Sequence, residues 1–320
     1  MTKPKIYITR HLPELAWNEL DKYCEIEIWD YETPPPYDIL LQKVRDKVGL
    51  LCLLTDKIDA NLMDAAPNLK VISQCAVGYD NIDIAAATER NIIVGNTPGV
   101  LTDATADFAF ALLISTARRV VEGMDYVRAG KWETWGLTTL LGHDVFGATL
   151  GIIGMGRIGQ ALAKRARGFE MKIIYNDRHR IYSVEQDLGV EYCSLEHLFT
   201  KSDFVSLHVN LTHETEGMIG KKEFELMKPT AILVNTARGA IVDPDALYEA
   251  LKAKSIAYAA LDVTDPEPLP MDSKLLSLPN LVISPHIASA TVTSRMKMAM
   301  ISAKNLIAGV KGERLPYQVN

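Results

Sequence analysis

The sequence predicts an α/β protein with two doubly wound parallel-sheet domains, one inserted into the other. Short β-rich runs alternate with stretches of helical composition as far as residue 95, and a second alternating series runs from residue 149 to about residue 283. Such alternation is typical of parallel strands joined by helical crossovers. A final helix, near residues 291–308, has no strand after it, so we expect it to pack back against the first series.

The first series has the spacing of a five-stranded unit. Its candidate strands are residues 6–9, 26–29, 50–54, 71–74 and 92–94, and its candidate helices are residues 14–22, 39–46, 61–66 and 83–89. The turn Asn96-Thr97-Pro98-Gly99 ends this series.

A long helix separates the two series. We predict that Thr102 or Asp103 caps its start and that Arg118 and Arg119 close it, where their charges suit the helix dipole. The second series then has candidate strands at residues 149–153, 172–175, 204–208, 231–235, 258–262 and 281–283.

The composition excludes several classes of partner. The chain has 320 residues, 48% of them hydrophobic, and a formal net charge of -6, with no basic run that would attract nucleic acid or an anionic membrane. Its most apolar helix contains Asp107 and is too short to cross a bilayer. The four cysteines form no CxxC motif, and the first ten residues lack a signal-peptide pattern. We therefore expect a cytoplasmic protein.

A glycine-rich motif, GMGRIG at residues 154–159, lies between a predicted strand and a predicted helix. In this setting Gly154 allows a tight turn, Gly156 lets the backbone approach a pyrophosphate, and Gly159 lets helix and strand pack closely. Free N–H groups at the helix start attract the phosphates. Asp177, eighteen residues after the motif, ends the next strand, where a carboxylate can bind a ribose. The pattern predicts a dinucleotide-binding Rossmann domain.

These observations together predict the domain organisation. A Rossmann cofactor domain, residues 100–285, is inserted into a flavodoxin-like substrate domain that comprises residues 1–99 and 286–320.

The residues after the second strand of this domain bear on the choice of cofactor. Asp177 favours NAD(H), because a carboxylate binds the ribose hydroxyls and repels a 2′-phosphate. Arg178 and Arg180 follow directly, and arginine at this strand end can pair with that phosphate, so NADP(H) or dual use is the alternative. Both arginines can instead be solvated loop charges. If Asp177 sets the preference, Asp177→Ser improves the use of NADPH relative to NADH.

Three successive strand ends carry residues suited to hydride transfer. Arg238, Glu267 and His286 follow the fourth, fifth and sixth strands of the second series, in that order. A planar guanidinium can bind the carboxylate and carbonyl oxygens of a 2-keto acid. An imidazolium can protonate the oxygen as hydride reaches carbon, and a carboxylate can orient that imidazolium. Each residue alone has an ordinary structural explanation, but their joint placement after a dinucleotide motif predicts a catalytic set.

An ordered series of motifs resembles the D-isomer-specific 2-hydroxyacid dehydrogenases nearly from end to end. The motifs are VGYDN at 77–81, NTPGVLTD at 96–103, the glycine-rich motif at 154–159, NTARG at 235–239, LDVTDPEP at 261–268 and PHIAS at 285–289. Residues 49–56, 101–104 and 262–268 are most similar to the glyoxylate/hydroxypyruvate reductase branch.

The resemblance implies an NAD(P)H-dependent reductase of small 2-keto acids that forms a homodimer. In it His286 donates a proton, Glu267 is the partner of His286, and Arg238 binds the substrate. Backbone N–H groups near Val77 and Gly78 would bind the substrate carboxylate, and Leu53 would line the pocket. With the residues already named, the expected cofactor contacts are Thr102, Gly154, Gly156, Arg157, Ile158, Gly159, Asp177, Arg178, Val209, Thr236, Ala237, Arg238, Asp262, His286 and Ser289.

One departure from the family pattern and two alternative functions remain. After residue 208 the loop reads VNLT where the family commonly carries proline, so only Val209 is taken over from that loop. The alternatives are another D-2-hydroxyacid dehydrogenase, of the D-lactate or phosphoglycerate type, and a non-catalytic NAD(H)-sensing scaffold. No metal site is expected, because His208 and His213 lack acidic or cysteine neighbours at ligand spacing.

Overall fold

A computed structural model describes residues 2–320, which divide into two compact units. The first unit comprises the residues up to Leu101 together with Ala290–Asn320, and the second comprises Thr102–Ser289. These limits differ by two and by four residues from the predicted boundaries after residues 99 and 285, and the difference assigns His286 to the second unit.

The first unit contains a five-stranded parallel sheet with the strand order β2-β1-β3-β4-β5. This is the flavodoxin-like order, as the sequence predicts. Its elements are β1 (Lys5–Ile8), α1 (Glu14–Tyr23), β2 (Glu25–Ile28), α2 (Tyr37–Lys43), β3 (Gly49–Cys52), α3 (Ala60–Asp64), β4 (Val71–Gln74), α4 (Ile84–Glu89), β5 (Ile93–Gly95) and, after the second unit, α12 (Val292–Lys311).

Local sequence accounts for these elements. Every residue of β3 and of β4 is buried, as expected for central strands of a parallel sheet covered by helices on both faces. The side chains of Asp59 and Asp83 accept hydrogen bonds from backbone N–H groups at the starts of α3 and α4, respectively. Helix α12 packs on this sheet, where Leu306 is fully buried and the carbonyl of Ser302 accepts a 2.9 Å hydrogen bond. The predicted packing of the last helix is confirmed.

The second unit contains a seven-stranded parallel sheet with the order β12-β11-β10-β9-β6-β7-β8. Counted from β6 the order is that of a Rossmann fold with one added strand, so the prediction is confirmed. Its elements are α5 (Thr102–Ala117), α6 (Val120–Arg128), β6 (Thr149–Ile153), α7 (Arg157–Ala166), β7 (Lys172–Asn176), α8 (Tyr182–Leu188), β8 (Glu191–Tyr192), α9 (Leu195–Lys201), β9 (Phe204–Leu207), α10 (Lys221–Leu226), β10 (Ile232–Asn235), α11 (Pro244–Lys252), β11 (Tyr258–Leu261) and β12 (Leu281–Ile283).

The sheet of the second unit has an apolar core on each face. Leu150 and Ile152 of β6 join one core, with residues of α5 and α7, while Ile153 joins the other. This alternation follows from the two-residue period of a strand.

Two parts of the second unit differ from the sequence prediction. Helix α5 ends at Ala117, and Arg119 does not close it but precedes α6 with a left-handed backbone (φ 54°). The Arg119 Nε donates a 2.8 Å hydrogen bond to Glu122 of α6, which holds the residue at the start of the new helix. Helix α6 itself and the short strand β8 were absent from the prediction. Among residues 2–320 no helix combines the length and the apolar character needed to span a bilayer.

Candidate active site

The glycine-rich turn between β6 and α7 has the geometry that a dinucleotide needs. Gly154 has a φ of 95°, which side-chain-bearing residues rarely adopt. A Cβ on Gly159 would lie 2.2 Å from the carbonyl oxygen of Gly154, so only glycine permits this close packing of helix on strand. A Cβ on Gly156 would meet no atom within 4 Å, so open space lies beside the backbone at the start of α7. Phosphate oxygens fit such a space beside a helix N-terminus.

Asp177 lies directly after β7 and is held against the same turn. Its Oδ2 accepts a 2.8 Å hydrogen bond from the backbone N–H of Met155. One carboxylate oxygen is thereby fixed, and the other keeps its capacity to accept hydrogen bonds from ribose hydroxyls. The glycine turn and the acid form one contiguous structure, as the sequence predicts.

A further observation supports a fit to a dinucleotide. The hydroxyl oxygen of Thr236, a predicted cofactor contact after β10, is buried and has no hydrogen-bond partner among residues 2–320. A buried hydroxyl without a partner is costly, and a polar ligand would satisfy it. Val209 also lies at the turn, because its Cγ1 would be 2.9 Å from a Cβ on Gly154.

The other predicted cofactor contacts are distributed over the same unit. Arg157 and Arg178 are exposed, whereas Ser289 is buried. Thr102, Ile158 and Ala237 are partly buried, at the start of α5, in the first turn of α7 and after β10. Their roles in cofactor binding stay predictions.

Arg238, Glu267 and His286 follow three adjacent parallel strands, β10, β11 and β12. The carboxyl ends of these strands meet at one edge of the sheet. The Nδ1–H of His286 donates a 2.5 Å hydrogen bond to Oε1 of Glu267, since a carboxylate can only accept. This bond leaves Nε2 of the imidazole to face a reactant. The side chains of His286 and Glu267 are 26% and 36% exposed, so solvent and small molecules can reach the pair.

Asp262 organises the turn that carries His286. Its Oδ1 accepts hydrogen bonds from the Ser284 hydroxyl (2.6 Å) and the Ile287 N–H (2.9 Å), and its Oδ2 accepts one from the Ala288 N–H (2.7 Å). The backbone carbonyl of Asp262 also accepts a 2.8 Å hydrogen bond from the N–H of His286. Asp262 is 1% exposed, and His286 adopts a left-handed backbone with a φ of 53°. This positioning role was missed by the sequence analysis, which assigned Asp262 to the cofactor.

The turn that carries Arg238 packs directly on the segment that leads to Glu267. A Cβ on Gly239 would lie 2.0 Å from the carbonyl of Thr264, so the two backbones are in contact. The buried Asn235 stabilises the turn at Arg238, because its Nδ2 donates a 2.8 Å hydrogen bond to the Arg238 carbonyl. The Arg238 guanidinium donates a 2.8 Å hydrogen bond to the carbonyl of Ala237. The Arg238 turn and the Glu267 segment are therefore brought together within one unit.

The predicted substrate-binding residues of the first unit lie on two linked loops. Asn81 Nδ2 donates hydrogen bonds to the carbonyls of Leu53 (3.0 Å) and Asp56 (2.8 Å). The Val77 carbonyl accepts a 2.8 Å hydrogen bond from an asparagine side chain and the Gly78 carbonyl a 3.2 Å one from a glutamine side chain. Within residues 2–320 no acceptor is bonded to the N–H of Val77 or Gly78. Free adjacent N–H groups are able to bind a carboxylate.

The carboxylate of Asp56 holds the loop that contains Leu53 in place. Its Oδ2 accepts hydrogen bonds from the hydroxyl of Thr9 (2.5 Å) and the N–H of Leu53 (2.8 Å), and Arg10 lies 3.7 Å from Oδ1. Burial raises the pKa of the Asp56 carboxyl, while these hydrogen bonds and the charge of Arg10 oppose the rise. The position of Leu53 thus depends on a buried polar network.

His208, one of the two histidines considered as metal ligands, has a different environment in the structure. Nowhere in residues 2–320 do three or more His, Cys, Asp or Glu side chains cluster as metal ligands would. His208 follows β9, and its Nε2 lies 2.8 Å from the hydroxyl of Ser206. Burial lowers the pKa of His208 to about 4, so the imidazole is neutral near pH 7.

Comparison with known proteins agrees with this geometry. The profile described as "D-isomer specific 2-hydroxyacid dehydrogenase, NAD binding domain" matches residues 110–288. The chain is 55% identical over 322 residues to the glyoxylate reductase of Thermococcus litoralis, covering 99% of this chain and 97% of that protein. It is 53% identical over 319 residues to the glyoxylate reductase of Korarchaeum cryptofilum, covering 99% of this chain and 96% of that protein.

A solved structure extends the likeness to three dimensions. The TT0316 protein of Thermus thermophilus superposes with a TM-score of 0.93 at 47% identity, over 99% of this chain and 100% of that chain. The resemblance inferred from the sequence motifs is thus confirmed. The chain belongs to the D-isomer-specific 2-hydroxyacid dehydrogenase family.

Proposed function

We propose that this protein is an NAD(P)H-dependent reductase of small 2-keto acids, with glyoxylate and hydroxypyruvate as its main substrates. The observation that carries the proposal is the 2.5 Å hydrogen bond between His286 and Glu267, on strand ends next to Arg238 in the NAD-binding unit. The glyoxylate reductases at 53% and 55% identity support the choice of substrate.

The proposed cofactor site uses the glycine turn, Asp177 and Thr236. The N–H groups at the start of α7 bind the pyrophosphate, Asp177 binds the adenosine ribose, and the Thr236 hydroxyl meets a polar group of the ligand. When bound, the reduced nicotinamide supplies the hydride that reaches C2 of the keto acid. NADH is the preferred cofactor in this proposal because of Asp177, and Asp177→Ser is expected to shift the ratio of kcat/KM values towards NADPH.

The side chains of this protein perform the remaining steps. The planar guanidinium of Arg238 binds the carbonyl and carboxylate oxygens of the substrate and polarises the carbonyl. His286 donates the proton on Nε2 to the carbonyl oxygen, while Glu267 keeps the Nδ1 proton bonded and the ring in orientation. We propose that the free N–H groups of Val77 and Gly78 bind the substrate carboxylate and that Leu53 contacts the substrate carbon chain. The product is a D-2-hydroxy acid, or achiral glycolate from glyoxylate.

A substrate panel tests the proposal. The absorbance of NADH and of NADPH at 340 nm is followed with glyoxylate, hydroxypyruvate, pyruvate and phosphohydroxypyruvate. We expect the highest kcat/KM with glyoxylate or hydroxypyruvate. Preference for pyruvate or phosphohydroxypyruvate would identify a lactate or phosphoglycerate type of enzyme, and cofactor binding without oxidation would identify a sensing scaffold.

We also propose that the protein is a homodimer that uses the surface of α6 and the segment after it. No residue of α6 is buried, and Val120, Met124 and Val127 are about half exposed. The following segment exposes Trp132, Trp135, Leu137, Leu141 and Phe146. A concentration of exposed apolar side chains of this kind is typical of an interface between subunits, and a second copy is the occupant that every molecule of the protein has available.

The cysteines support a cytoplasmic location as part of the same proposal. All four carry free thiols, and Cys24 and Cys52 are buried. Unpaired buried cysteines suit a reducing compartment.

A further inference from the structure

We infer that Glu185 is a specificity-determining residue for the adenosine end of the cofactor, because it binds Arg180 and so withholds this cation from a 2′-phosphate. The inference rests on the proposed function in one respect: it takes the end of β7 as the ribose site. It adds to the role of Asp177, since it concerns Arg180, one of the two arginines that the sequence offers for the 2′-phosphate of NADPH, and the carboxylate that binds this arginine.

Arg180 is bound on two sides. Its Nε and Nη2 donate hydrogen bonds to Oε1 and Oε2 of Glu185, at 2.9 and 2.8 Å. This is the bidentate geometry in which an arginine binds a carboxylate or a phosphate most strongly, so the carboxylate occupies the donors that a phosphate would need. The guanidinium also lies over the ring of Tyr182, 4.7 Å from the ring centroid.

Glu185 is itself held in place by a buried side chain. The hydroxyl of Tyr175, a fully buried residue of β7, donates a 3.0 Å hydrogen bond to Oε1 of Glu185. The same hydroxyl oxygen accepts a 2.8 Å hydrogen bond from the N–H of Ile181, the residue that follows Arg180. Only 15% of the Glu185 side chain is exposed. The ion pair is therefore part of a built network and not a chance contact between two solvated side chains.

Two acidic residues then act against NADPH by different routes. Asp177 repels the 2′-phosphate directly, and the N–H of Met155 fixes its position. Glu185 acts indirectly, by pairing with Arg180. Removal of Asp177 alone therefore leaves Arg180 engaged, and full use of NADPH requires that Arg180 be released as well.

A pair of ligands isolates this effect from catalysis. Adenosine 5′-monophosphate and adenosine 2′,5′-bisphosphate differ only in the 2′-phosphate, and calorimetry on the full chain gives both dissociation constants without any turnover. In Glu185→Gln the amide oxygen still accepts from Tyr175, but the charge and the bidentate pair are lost. We expect the ratio of the two dissociation constants to shift roughly tenfold towards the bisphosphate, with little change for the monophosphate.

Two further variants make the result decisive. Asp187→Asn removes the same charge from an exposed residue of α8 that is not bonded to Arg180, and it is expected to leave the ratio unchanged. Arg180→Ala combined with Glu185→Gln is expected to restore the wild-type ratio. Circular dichroism checks that each variant is folded.

The inference is overturned by any of three results. They are an unchanged ratio in Glu185→Gln, an equal shift in Asp187→Asn, and a shift that persists without Arg180. A wild-type protein that fails to bind adenosine 5′-monophosphate would overturn the ribose site and this inference together. The oxidation of NADH by glyoxylate is measured separately. A negative binding result therefore does not contradict the proposed reductase activity, and an inactive protein does not contradict the role of Glu185.

Discussion

His286 combines an unusual backbone conformation with a side chain that a carboxylate holds in place. Its left-handed conformation (φ 53°) is stabilised by the Asp262 carboxylate, which accepts three hydrogen bonds from the turn around it. Such conformations cost free energy and persist where the surrounding structure fixes them, often at functional sites. The imidazole is thus aimed by its turn and oriented by Glu267.

The first prediction concerns proton donation. His286→Ala is expected to lower kcat for glyoxylate by about 10²–10⁴-fold, the usual contribution of a general acid. His197→Ala, at an exposed histidine of α9, is the matched control and keeps wild-type turnover. Steady-state kinetics at saturating NADH checks this, and near-normal turnover in His286→Ala would remove that residue from the role.

The second prediction concerns the shape of the cation at residue 238. Arg238→Lys keeps the charge but loses the two parallel donors, so KM for the keto acid is expected to rise by roughly tenfold or more. Arg167→Lys, at an exposed arginine after α7, serves as the control. An unchanged KM would mean that the guanidinium does not bind the substrate.

At the scale of elements, the β6–α7 turn contains one glycine that is needed for packing, Gly159, and one that leaves space for a ligand, Gly156. Gly159→Ala is expected to destabilise the fold, because its Cβ would lie 2.2 Å from the Gly154 carbonyl oxygen. Gly156→Ala is expected to keep the wild-type Tm, since its Cβ meets no atom within 4 Å, yet to weaken NADH binding by filling the phosphate approach. Thermal unfolding and NADH fluorescence titration test the pair. Equal losses of Tm in both variants would contradict this division.

The fourth prediction concerns helix α6. If its exposed apolar surface is a subunit interface, Met124→Asp combined with Val127→Asp is expected to convert a dimer into a monomer, because two charges would be buried without partners. Leu15→Asp, at a residue of α1 that is 60% exposed, is the control and stays dimeric. Size-exclusion chromatography with light scattering gives the masses. A wild-type monomer would exclude the proposed dimer.

At the scale of the whole molecule, the features that could be predicted are those indicated by short stretches of sequence. The alternation of strands and helices, the glycine motif and the polar residues at strand ends each lie within a few adjacent positions, and the fold class of both domains was predicted from them. The link between Asp262 and the turn at residues 284–288 joins residues distant in sequence, so no local pattern indicated it. Helix α6 was missed although its sequence carries a signal: Val120, Met124 and Val127 recur at helical spacing, a pattern that could have indicated it.

The fifth prediction concerns the pH dependence of global stability. Because burial lowers the pKa of His208 from 6.5 to about 4, the folded state binds this proton less readily than the unfolded state. Its contribution is therefore present above pH 6.5 and lost as the pH falls towards 4, by about 2–3 kcal/mol in the free energy of unfolding. His208→Gln is expected to flatten this part of the profile. Urea unfolding of both proteins between pH 7 and 4.5 tests it, and parallel profiles would refute the assignment.

The anchoring of His286 has a consequence for how such enzymes diversify. Glu267, Asp262 and the turn that they hold all belong to the unit of residues 102–289, as does Arg238. In the proposed function the first unit supplies Leu53 and the N–H groups of Val77 and Gly78 to the substrate, so sequence changes there are expected to alter the choice of acid and to leave the His286–Glu267 pair unchanged. Chimeras that exchange only that N-terminal region should inherit a new choice of substrates together with an unaltered acid–base pair.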